Sequence, residues 1–177
     1  LLSATREVEL AAQMERGEYL AAKQAQLRDD FGAPPAADVL GRAIYHSFRQ
    51  GWPHVRALYV EVHPNEPVPP KSIVFKRILP LTQVAEEAIR RVAEQFELSP
   101  DEFEESLRLR AVEWDLLPVA VQNLVRDGDV WPPDEEVDRV FREHVARLER
   151  RWADQIEAGC RAKVALTEAN LRLVVSV

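Results

Sequence analysis

Apolar residues recur along this chain at three- and four-residue steps, and clusters of proline and glycine break the pattern. Ser3 is placed to cap a helix running to about Asp30. Val8, Ala11, Ala12, Tyr19 and Leu20 form its apolar side, and Gly17 is a weak point. Phe31–Asp38 (FGAPPAAD) is a turn. A second helix follows with Val39, Leu40, Ile44, Tyr45 and Phe48, and Gln50–Pro53 (QGWP) is expected to end it. His54–Val62 suits a short helix or a strand, and its helical neighbours favour helix. His63–Ser72 holds four prolines and predicts an exposed, extended loop.

Leu81–Phe96 carries Val84, Ala88, Ile89, Val92 and Phe96 on one face, an amphipathic helix. Ser99–Glu102 (SPDE) is a start signal, with a cap, a proline at the first position and a glutamate to close the capping box. The helix after it carries Phe103, Leu107 and Val112. Pro118 opens a further short one through Leu124. Arg126–Glu136 is the second major break. From Pro133 the stripe Val137, Val140, Phe141, His144, Val145, Leu148, Trp152, Ile156, Cys160 and Val164 predicts one helix, bent at Gly159 if anywhere. Such a helix spans about 65 Å and is a spine for the others. No period-two run competes, so the expected fold is all-α, a helical bundle or lobe built on a long C-terminal helix.

Composition adds limits. The 177 residues suffice for one sizeable core or two small ones. The single cysteine excludes an internal disulfide and suggests a reducing, cytoplasmic setting. No apolar run approaches a membrane span. The formal net charge of −7 argues against a free-standing nucleic-acid binder, which carries a basic stripe. The chain opens without Met at a helix entrance and closes on an uncapped apolar helix, so both ends read as cut from a longer protein.

Catalytic chemistry finds no support. His46, His54, His63 and His144 lack metal-ligand spacing and read as structural or surface residues. No phosphate-binding or nucleophile-elbow motif is present. Cys160 lies on the apolar stripe and reads as a small core residue. No cofactor or metal is implied. Val92–Leu107 has a helix-turn-helix outline, but Asp101, Glu102, Glu104 and Glu105 would face phosphates, so a packed helical corner is the better reading. Among the tryptophans, Trp131 is the candidate for an exposed contact.

The two ends carry a resemblance. The stretch AKVALTEANLRLVVSV, with Glu168–Ser176 (EANLRLVVS) at its centre, resembles the start of conserved region 2.1 in the housekeeping (sigma-seventy) family of bacterial RNA polymerase sigma factors. Leu1–Glu18 (LLSATREVELAAQMERGE) looks like the second helix of region 1.2 in the same family, although Ala4, Thr5 and Arg6 stand where acidic residues are usual. The resemblance covers Leu1–Lys23 and Ile156–Val177. The residues between match the place of the family's non-conserved insertion. This implies residues 1–30 as a region 1.2-like helix, 31–155 as the insertion and 156–177 as the start of region 2.1, in one packed unit. The first helix and the last half of the long one would pack as a base, with the insertion standing off it.

Function follows from the resemblance as expectation. Sigma factors bind core polymerase, direct it to promoters and hold the melted −10 strand. In the family a flipped base sits where regions 1.2 and 2.1 meet, and the matching positions are Glu7, Asn170 and Leu173. A carboxylate and an amide suit a base edge, and a leucine suits its face, although Leu173 serves equally as core packing. Arg172 would pair with a phosphate. The implied partners are core RNA polymerase, through its β′ subunit, and promoter DNA within a full-length factor, with no membrane. The chain alone is not expected to bind promoter DNA specifically. The insertion is then a protein-interaction lobe or a passive spacer. A free-standing helical adaptor without a nucleic-acid role is the alternative to the whole reading.

Overall fold

The structure is a computed structural model and describes residues 2–78, 86–127 and 130–175. Every regular element among the described residues is an α-helix, and the C-terminal one is the longest, as the apolar periodicity predicts. In chain order they are α1 (Ala4–Phe31), α2 (Ala37–Val62), α3 (Lys71–Ile78), α4 (Glu86–Gln95), α5 (Pro100–Leu116), α6 (Val119–Leu124), α7 (Asp134–Glu143) and α8 (Val145–Val175). The chain forms two compact units. One joins Leu1–Leu40 to Phe141–Val177, and the other is Gly41–Val140.

The first unit is built on α1 packed along α8. Ser3 caps α1, accepting from the Arg6 N–H at 3.3 Å, and Gly32 closes it in the left-handed region at φ 73°. The inward positions of α1 are Leu10, Gln13, Gly17, Leu20, Gln24 and Leu27. Those of α8 are Leu148, Trp152, Gln155, Gly159 and Ala162. Both sets step by three and four, the spacing of a coiled-coil seam. The contact face is the expected one in part: Leu20, Leu148 and Trp152 are buried in it, and other expected positions are not. Val8 is 69 % exposed, Val164 is 57 % exposed and Cys160 is exposed. The seam instead uses small residues where the backbones come closest. A Cβ placed on Gly17 would lie 2.8 Å from the Gly159 Cα, and the reverse substitution meets Gly17 at the same distance. Leucines and Trp152 pack along the seam, and glycine occupies the point where the two backbones come closest.

The expected single helix from Pro133 is two. His144 interrupts it: its N–H reaches back three residues to the Phe141 carbonyl at 3.2 Å, and Arg147 bonds His144 the same way at 3.1 Å. No glycine or proline marks this break, so the sequence carried no signal for it. Gly159, the expected bend, lies inside uninterrupted α8.

The second unit has an aromatic core. Phe48 is fully buried, with ring centroids 5.5 Å from Trp114 and 6.1 Å from each of Trp52, Phe75 and Trp131. Gln50–Pro53 does not end α2, and Pro53 lies within it. A proline inside a helix costs about 3 kcal/mol. Burial of Phe48, Trp52, Val55, Leu58 and Tyr59 on one continuous face offsets this. Gly51 also leaves room for Arg110, which donates to the Ser47 carbonyl at 2.7 Å. His54–Val62 is accordingly helical. The proline-rich loop is pinned by Arg77, which donates to Tyr59 Oη and to Glu66, both at 2.8 Å. The short helix α3 was not anticipated; its entry is the Pro69–Pro70 pair, a helix start hidden in what reads as loop.

The start signal at Ser99 is present as a complete capping box with Glu102. Val92–Leu107 forms a packed corner of α4 and α5, closed by Glu97 at φ 58° and a Leu98 N–H bond to the Ala93 carbonyl at 3.0 Å. Leu81–Ala85, the predicted beginning of α4, lies outside the described residues. Pro118 opens α6.

Candidate nucleic-acid interface

The four residues singled out by resemblance lie on α1 and α8, the two helices that pack together. Glu7 sits in the first turn of α1, donating its N–H to the Ser3 carbonyl at 2.9 Å. Its carboxylate is exposed and favourably placed at the positive end of the helix dipole. Beside it Arg6 pairs with Glu9 at 2.9 Å. Asn170 is exposed on α8. Water can satisfy its amide, so its polarity needs no ligand to explain it. Arg172 and Leu173 lie on α8 with side chains outside the described residues. Leu171 next to them is 59 % exposed.

Two clefts open on the same unit. One is apolar, with Pro35, Leu40, Trp152, Ile156 and Cys160 in its lining. Cys160 is thus a cleft residue and not a core one, because Gly159 takes the seam position beside it. The other, of about 590 Å³, brings Arg16 of α1 together with Arg147, Arg151 and Arg161 of α8. This cluster was missed by motif reading. Its signal is the run Arg147, Arg151, Asp154, Ala158, Arg161, stepping by four and three along one helix face.

The remaining candidates resolve into packing. His54 Nδ1 lies 2.6 Å from Ser106 Oγ, with its ring 4.4 Å from Phe96. Burial, and secondarily the charge of Arg110, lower its pKa below the ordinary histidine value. His63 lies tilted against Tyr59, and His46 against Tyr45. Trp131, expected as an exposed contact, has its edge against Tyr45 and Phe48. Its ring holds the ammonium of buried Lys71 at 4.8 Å, with Trp52 on that ammonium at 4.7 Å. A tryptophan before a proline pair looks like a loop tip in sequence; here it anchors the loop to the core. Among the described residues no group of three or more His, Cys, Asp or Glu is arranged to hold a metal, and no helix is long and apolar enough to cross a membrane.

Compared with protein-family models, curated proteins and solved structures, the chain finds no match in any of the three.

Proposed function

We propose that this chain is part of a housekeeping-type bacterial sigma factor, acting in the cytoplasm without catalytic chemistry of its own. In this reading it works with core RNA polymerase to direct initiation and hold the melted −10 strand. Residues 31–155 are the insertion, and they serve as a protein-interaction lobe for the polymerase β′ subunit. One observation carries the reading. Leu1–Glu18 and Glu168–Ser176 resemble regions 1.2 and 2.1 in the family's order, and the helices bearing them pack along each other although nearly the whole chain separates them. A base pocket shared between those regions needs both helices side by side. Glu7 and Asn170 are exposed and would read the base edge, with Leu173 on its face and Arg172 on a phosphate.

The test is a chimaera. This chain replaces the corresponding span of a housekeeping sigma factor, which is then assembled with core polymerase and a promoter. The expected result is promoter melting, detected by thymine reactivity in the −10 strand. Asn170→Ala in the chimaera should slow open-complex formation about tenfold, the scale of one net hydrogen bond. A folded chimaera that binds core polymerase and melts no promoter overturns the reading. Removing 41–140 from the chimaera separates the two roles of the insertion: unchanged melting and unchanged escape leave only the spacer.

A further inference from the structure

We draw no further inference here: the strongest candidate, the apolar cleft of the first unit between Pro35, Leu40, Trp152, Ile156 and Cys160, is an open groove for which nothing in the structure shows what covers it, and the unpartnered indole N–H of Trp152 in its lining is buried out of a ligand's reach.

Discussion

His54 shows how a residue that resembles chemistry in sequence becomes structure. Its ring is held between Phe96 and Phe103 and bonded to Ser106, and Arg110 lies near enough to repel a proton. The same Arg110 forms a 2.7 Å ion pair with Glu113, which is fully buried. A positive charge is therefore already committed beside the imidazole. The folded chain resists protonating His54, whereas the unfolded chain takes up a proton at an ordinary pKa of about 6.5. The unfolded state then binds more protons below that value, so stability present at neutral pH is lost as pH falls through the histidine range. Thermal unfolding should show a midpoint that declines between pH 7.5 and 5, a window in which ordinary carboxylates stay ionised. His54→Gln keeps a hydrogen-bonding group for Ser106 and removes the titration, so its decline should be flatter. Equal slopes for the two proteins would remove His54 as the cause. None of this was visible in the sequence, because Arg110 and Ser106 lie more than fifty positions from His54 and only the fold brings them together.

At the scale of elements, the helix pair α1–α8 shows what periodicity reveals and what it hides. Its existence follows from three- and four-residue steps, and so do the caps at Ser3 and Ser99. Its contact face follows only in part. Hydropathy points rightly to Leu20, Leu148 and Trp152 but also to Val8, Cys160 and Val164, which are exposed, while the packed line passes through Gly17 and Gly159. Two helices approach closely only where side chains are absent, and a hydrophobicity pattern assigns no weight to an absent side chain. The continuity through Pro53 is hidden as well, because long-range burial decides it against the local signal, and the interruption at His144 has no glycine or proline to mark it. The glycine contact predicts its own test. Gly17→Ala or Gly159→Ala adds a Cβ at 2.8 Å from the opposing backbone, where no flexible side chain can yield. Alanine favours an isolated helix over glycine by about 1 kcal/mol, so propensity alone predicts stabilisation. Overpacking of a close contact costs about 1–3 kcal/mol and should prevail. Each variant should therefore unfold at lower denaturant concentration than the parent chain. An increase in stability would show that the two helices part without cost.

At the scale of the whole molecule, the two units differ in what holds them. The first is a seam between helices drawn from the beginning and the end of the chain, so it closes only after everything between has been made. The second is consecutive in sequence and has its own buried cluster around Phe48. Fast local contacts favour the second unit folding on its own. Residues 37–143 contain all of α2 to α7 and three of the four tryptophans, Trp52, Trp114 and Trp131, whereas Trp152 belongs to the first unit. The tryptophans therefore report on the two units separately. The 37–143 fragment should be helical, show blue-shifted tryptophan emission and unfold in one cooperative transition. In the intact chain Trp152→Phe should leave that emission transition nearly unchanged. Its own effect should appear in helicity, because α1 and α8 carry much of the helix. A fragment with red-shifted emission and gradual melting would show instead that the aromatic cluster depends on the first unit to form. That outcome would also remove the physical basis for the proposal that the middle of the chain is an insertion with a role of its own, since an interaction lobe must keep its surface without help from α1 and α8.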